Sequence, residues 1–303
     1  MSDQEKVALI KVDFGDVSKT AKLLIEKISD AIGGYYRPSQ IRRIAEAEAD
    51  AARIKTISQI ETTALQRRAL ERFVSEEAQK QQNIESVTEK ALPDLSESAQ
   101  PEDIDNDWIT NFFDKCRLVS NDVMQGLWAK VLSGEANQPG GYSKRTVNLL
   151  SSLDKSDANL FRELCCFGWT VGEVTPLIYD VTSPLLEKHG LSFATLTHLD
   201  SIGLVTFAGV AGFSRKPFPK RVRLGYFDHV VEIEFPNDQE NVFQAGKVLF
   251  TQAGLELSRI CGATADPDIL ESMKSHWEKA GIKVQVFNQN LIDSLQTQEV
   301  LVA

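Results

Sequence analysis

Apolar residues between Asp16 and Ile32 recur three and four positions apart. Val17, Ala21, Leu24, Ile25, Ile28 and Ile32 therefore share one face of a predicted helix, preceded by a short apolar strip from Val7 to Phe14. Asp16 or Ser18 supplies the N-cap, and Gly33-Gly34 stops the helix because glycine tolerates the left-handed backbone there. From Pro38 to Leu92 the chain has no glycine and no internal proline, and Ala, Glu, Gln, Arg and Ile dominate. Ile41, Ile44, Ala51, Ile54, Ile57, Ile60, Ala64, Leu70, Phe73 and Val74 recur mostly at helical intervals. A continuous helix of about 55 residues, at about 1.5 Å each, would span roughly 80 Å and overrun one small domain. A coiled coil, a hairpin broken between Glu61 and Thr63, or a projecting arm each accommodates it; the stripe is alanine-rich and drifts from a strict zipper.

The polar, two-proline segment PDLSESAQPE, residues 93–102, is the first expected boundary. Beyond it, Trp108 to Cys116 predicts one helix, and Ser120 caps a second that carries Val123 to Leu132 and ends at Gly134. Ser143 caps a third, and Asp154 or Ser156 a fourth. Short loops make these a bundle of antiparallel neighbours. After about residue 172 the period shifts. Pro176–Tyr179, Leu204–Phe207, Val222–Tyr226, Val230–Phe235, Val248–Phe250 and Ile282–Phe287 have strand character, with the clearest alternation in HVVEIEF. Helices are predicted at 192–201, at 251–260 behind a Thr251 cap, and from Asp266-Pro267 to Ala280. The order helix, LDSIGLV, strand, basic hairpin, strand has the grammar of a winged-helix unit. The expected fold is mainly α with a small α+β part. Its divisions are an N-terminal helix and long arm (1–95), a four-helix block (103–172), a winged-helix-like domain (173–288) and a tail (289–303).

Composition narrows the classes. The 303 residues are 42% apolar and 25% charged, the profile of a folded chain rather than a disordered one. No run approaches the roughly 20 apolar residues of a membrane span, and MSDQEKVALIKVDFGD lacks the plan of a secretory signal. Cys116, Cys165, Cys166 and Cys261 form no C-x-x-C pair or disulfide framework, which points to reduced thiols and a cytoplasmic location. A net charge of −10 argues against binding nucleic acid over the whole surface.

Little chemistry stands out locally. His189, His198, His229 and His276 show no metal-ligand spacing beyond a single His198-x-Asp200, and no nucleophile elbow or phosphate loop occurs. No metal, cofactor or small molecule is indicated, and no catalytic residue is singled out. The charge anomaly is GFSRKPFPKRVRLGYF. Arg215, Lys216, Lys220, Arg221 and Arg223 occur there with no acid among them, as on a wing that reaches phosphates or on an edge strand guarded against aggregation. The helix over 192–201 carries no Arg or Lys to read bases, which weakens the nucleic-acid case. The polar face of the first helix mixes Lys19, Lys22 and Lys27 with Glu26 and Asp30, so a membrane surface is not an expected partner.

Several stretches together resemble a bacterial family known as domain of unknown function 2806. They are LIEKISDAIGGYYRPSQIRRIAEAEADA, QQNIES, LWAKVLSGEANQPGGYSKRTVNLLSSLDKSDANLF and FTQAGLELSRICG, spread from about residue 20 to about 265. The resemblance brings no activity. Arg42, Arg43, Asn83, Lys144 and Asn148 lie within these stretches without an assigned task. The same order of parts is more distantly similar to proteins of phage abortive infection, which implies a defence or stress role. The expected function is a non-enzymatic interaction or sensing protein that self-associates or docks a partner protein through Ile41, Ile44, Ile54, Ile57, Ile60, Leu70 and Phe73. Nucleic-acid binding by Arg215 to Arg223 is the alternative, and an enzyme or toxin with a site assembled across domains is a third.

Overall fold

A computed structural model describes residues 18–32 and 63–288. Among these residues helix is the larger part and strand the smaller, so the protein is mainly α with a small β part. The chain divides into two compact units, residues 1–147 and 148–303.

In the first unit, α1 (Lys19–Ile32) starts where Ser18 Oγ accepts the Ala21 N–H at 3.2 Å. Its expected face is buried through Ala21, Leu24, Ile25 and Ile28, against a 3₁₀ turn at Pro101–Asp103 and the helix that follows it. The next described helix, α2 (Ala64–Ala91), opens with a capping box. Thr63 accepts the Gln66 N–H while the Gln66 side chain accepts the Thr63 N–H. The residues before Thr63, including Ile41, Ile44, Ile54, Ile57 and Ile60, lie outside the described residues. Only the C-terminal part of α2 is packed: Asn83, Ile84, Val87, Thr88 and Ala91 are buried.

Two further helices complete that core. They are α3 (Asn106–Cys116), capped by Asp105, and α4 (Asp122–Asn137), capped by Asn121 rather than Ser120. Trp108, Phe112 and Trp128 form an aromatic cluster with ring centres 5.1 Å apart in each contact. Gly134 does not end α4; it lies within the helix, where an added Cβ would stand 2.6 Å from the Tyr142 ring. Its smallness, not its freedom, is what the packing uses. The EANQPGGY loop closes on Glu135, which is buried and accepts the Gly140 and Tyr142 N–H groups at 2.8 and 2.9 Å. Helix α5 (Lys144–Leu150) crosses from the first unit into the second.

The second unit begins with α6 (Lys155–Cys165), opened by an Asp154 capping box. The first strands lie earlier than Pro176–Tyr179: β1 (Gly168–Val171) and β2 (Glu173–Pro176) make a tight hairpin. Then come α7 (Pro184–Lys188), α8 (Phe193–Ser201) and β3 (Val205–Phe207). Five strands follow: β4 (Phe213–Phe218), β5 (Arg221–Tyr226), β6 (His229–Glu234), β7 (Asn241–Gly246) and β8 (Val248–Phe250). Helices α9 (Gln252–Ser258) and α10 (Pro267–Lys279) and strand β9 (Lys283–Asn288) close the described chain.

The main sheet runs β2-β1-β5-β6-β9, all antiparallel, with β3–β8 and β4–β7 as separate ladders. In β6 the alternation of HVVEIEF turns Val231 and Ile233 into the core, followed by buried Phe235. The expected basic hairpin over 213–226 does not form. β4 pairs with β7, and β5 pairs with β6 in a different sheet. Pro217 and Pro219 remove two N–H donors from the segment, so it cannot sustain a continuous ladder on itself.

Candidate functional site

The C-terminal end of α6 puts Glu163 and Cys166 three positions apart, one turn along the chain. His189 follows the short helix α7, which Ser183 caps and Pro184 starts. Its ring meets Phe167 edge-on at 5.2 Å. Asp266 caps α10, accepting the Asp268 N–H on Oδ1 at 2.8 Å. These three local decisions bring distant residues together.

His189 lies between two carboxylates. Nδ1 is 2.9 Å from Glu163 Oε2, and Nε2 is 3.1 Å from Asp266 Oδ2. The remaining Glu163 oxygen accepts from Arg162 Nη2 at 3.0 Å. Asp266 Oδ2 also accepts from Lys188 at 2.9 Å, and Lys188 reaches Asp268 at 2.7 Å. From β5, the Tyr226 hydroxyl accepts the Asp266 N–H at 2.9 Å and lies 3.1 Å from the Cys166 carbonyl oxygen. Stacked on Trp169 at 4.6 Å, Tyr226 is fully buried, so it fixes two of the site's backbone segments from beneath. A cleft of about 380 Å³ opens above, lined by Glu163, Cys166 and His189 on one side and the 262–267 loop on the other.

The electrostatics follow this geometry. Hydrogen bonding from Lys188 is the main cause holding the Asp266 carboxyl below the usual range, against some desolvation. Desolvation pushes Glu163 upward, but bonds from His189 and Arg162 outweigh it and leave that carboxyl lowered. Burial raises the Cys166 thiol and pushes the Tyr226 phenol up to about 12. All four cysteines are free thiols. The cluster offers nitrogen, oxygen and sulfur donors facing one cleft, with the His189 ring held in place by a carboxylate at each nitrogen.

The sequence-selected residues lie elsewhere. Arg215, on β4, donates to the Val171 carbonyl oxygen at 2.6 Å. Lys216 faces Glu240 at 3.4 Å and Lys220 pairs with Asp238. Arg221 and Arg223 face Glu234 and Glu232 at 3.3 and 3.1 Å, their partners in the β5–β6 register. The acids that accompany the basic segment come from β6 and the turn after it, outside the acid-free stretch itself. Leu70 is half-buried and Phe73 is 59% exposed on α2. His198 meets Asp157, not Asp200, at 2.8 Å.

Residues 67–274 match the model of a family described as "Protein of unknown function (DUF2806)". The chain belongs to this family. No curated protein and no solved structure matches it. The DUF2806 region contains Glu163, Cys166, His189 and Asp266. Of the residues noted without a task, Asn83 donates to the Arg117 carbonyl oxygen at 2.8 Å and ties α2 to the α3–α4 turn. Lys144 faces Asp105 and Asp107. The His189 cluster leaves no spacing motif, because Cys166 and Asp266 lie 23 and 77 residues from His189 and each residue has an ordinary local role. The one local trace is Glu163-x-x-Cys166.

Proposed function

We propose that the protein is an interaction module that pairs with a second copy of itself through the N-terminal half of α2. The supporting observation is that residues 64–80 continue a regular helix beyond the packed core, leaving Leu65 68% and Phe73 59% exposed. Leu65, Ala69 and Phe73 follow at intervals of four, with Leu70 and Val74 beside them, so the exposed half has its own apolar stripe. Burying a side chain such as Leu or Phe contributes about 1.5–3 kcal/mol. The stretch carries charges of both signs, and within the helix Arg72 faces Glu76 at 3.6 Å and Lys80 faces Glu77 at 2.6 Å, so its polar side is balanced without a partner and the apolar stripe carries the proposal.

Light scattering during size-exclusion chromatography tests this reading. Wild type should run as a dimer that dissociates on dilution, and Phe73→Glu should run as a monomer with unchanged circular dichroism. A wild-type monomer at every concentration overturns it.

The finer architecture belongs to the same proposal. We read α6, α8 and the β3–β8 ladder as a winged-helix-like unit, with residues 208–247 inserted where a short wing would stand. Polyanion binding by Arg215, Lys216, Lys220, Arg221 and Arg223 has less support, because each side chain already has a local partner. A defence role is supported only by the order of parts shared with abortive-infection-type proteins.

A further inference from the structure

The donor atoms of Glu163, Cys166 and His189 all lie within 4.8 Å of one another, the single such group of three among the described residues. Zinc takes sulfur at about 2.3 Å and nitrogen or oxygen at about 2.0–2.2 Å. Those bond lengths separate tetrahedral ligands by about 3.3–3.8 Å, so closing around an ion takes small side-chain shifts rather than a backbone rearrangement. We propose that Glu163 Oε2, Cys166 Sγ and His189 Nδ1 form a site for a zinc-class divalent transition-metal ion, with a fourth position open to the cleft beneath the 262–267 loop.

Two independent features support the assignment. His189 points Nε2 at Asp266 Oδ2, 3.1 Å away, the carboxylate–histidine arrangement that orients the other ring nitrogen toward an ion, and an ion bound there replaces the 2.9 Å contact that Nδ1 makes with Glu163 Oε2. Glu163 has its second oxygen held by Arg162, so the two carboxylate oxygens have separate tasks. Tyr226 further holds the Cys166 and Asp266 backbones in place. One sulfur, one nitrogen and one oxygen donor suit zinc or cobalt and are poor for calcium or magnesium, which take oxygen alone. Binding converts the Cys166 thiol to thiolate and needs the Nδ1 lone pair, so the thiol proton and any Nδ1 proton leave to solvent. This inference is independent of self-association through α2, which uses other residues.

Cobalt(II) titration of the reduced full-length protein tests it, with absorption spectra as the readout. Wild type should bind one ion and show tetrahedral d–d bands with a thiolate-to-cobalt charge-transfer band. Cys166→Ser should lose the charge-transfer band, while Cys261→Ser keeps it. Asp266→Asn should weaken zinc about 10- to 100-fold in competition with a chromophoric chelator. Should Cys166→Ser lack the wild-type circular dichroism, His189→Gln and Glu163→Gln answer the same question through at least tenfold weaker binding. Absence of cobalt bands in folded wild type overturns the proposal. So does a charge-transfer band that survives in folded Cys166→Ser, or unchanged affinity in both His189→Gln and Glu163→Gln.

Discussion

Glu135 shows how one side chain can hold a loop that has no regular structure. The QPGGY turn has no ladder for its amides, and the buried carboxylate accepts two of them. Tyr142 then offers its carbonyl oxygen to Trp108 Nε1 at 2.7 Å, which joins the turn to α3. Glu135→Ala should destabilise the protein by about 1–3 kcal/mol, since the buried Tyr142 N–H loses its acceptor and the more exposed Gly140 N–H turns to water. Glu135→Gln, which keeps one acceptor oxygen, should lose less; chemical denaturation of both variants measures the difference. Trp169 is the opposite case. Its indole N–H is buried without a partner, so its contribution is packing against Tyr226 and Trp277. Trp169→Ala should cost about 3–5 kcal/mol, and Trp169→Phe clearly less, because the replacement also removes an unsatisfied donor.

At the scale of elements, caps decided most boundaries. Thr63, Asp105, Asn121, Asp154, Ser192, Thr251 and Asp266 each precede a helix whose first turn needs acceptors for its free amides. Their residue types made many of these starts legible from sequence, as at Asp154, Thr251 and Asp266. Glycines were harder, because a helix stop and a close contact look alike in a string of letters. Gly254 lies inside α9, where an added Cβ would stand 1.9 Å from the Leu204 carbonyl oxygen. That backbone atom belongs to the approach to β3 and cannot swing aside. Gly254→Ala should therefore destabilise by about 3 kcal/mol or more, although alanine is the better helix former. Thermal unfolding against a Gly126→Ala control, a helical position with nothing within 4 Å, separates the clash from propensity.

At the scale of the whole molecule, pH links the His189 and His198 clusters to stability. Asp157, Glu163 and Asp266 all have lowered carboxyl pKa values in the folded protein. A carboxyl that is more acidic when folded contributes fully above its unfolded value, about 4. That contribution disappears as pH falls through the lower folded values. The unfolding midpoint should accordingly drop between about pH 5 and pH 2, and Asp266→Asn should show a shallower drop over the same window. A flat profile through that window contradicts the linkage.

The letters alone determined the first helix and its buried face, several later helix starts, the alternation of β6 and the family resemblance. Each of these depends on spacing within about a dozen residues, where period and cap chemistry act directly. Pairing was decided only in three dimensions. Whether residues 213–226 form a hairpin depends on what β6 and β7 offer each strand, and the acids opposite Arg221 and Arg223 come from that choice. The meeting of Glu163, Cys166, His189 and Asp266 was likewise set by packing among α6, α7, β5 and the start of α10, because a sequence specifies each donor but not the distance between donors on different elements.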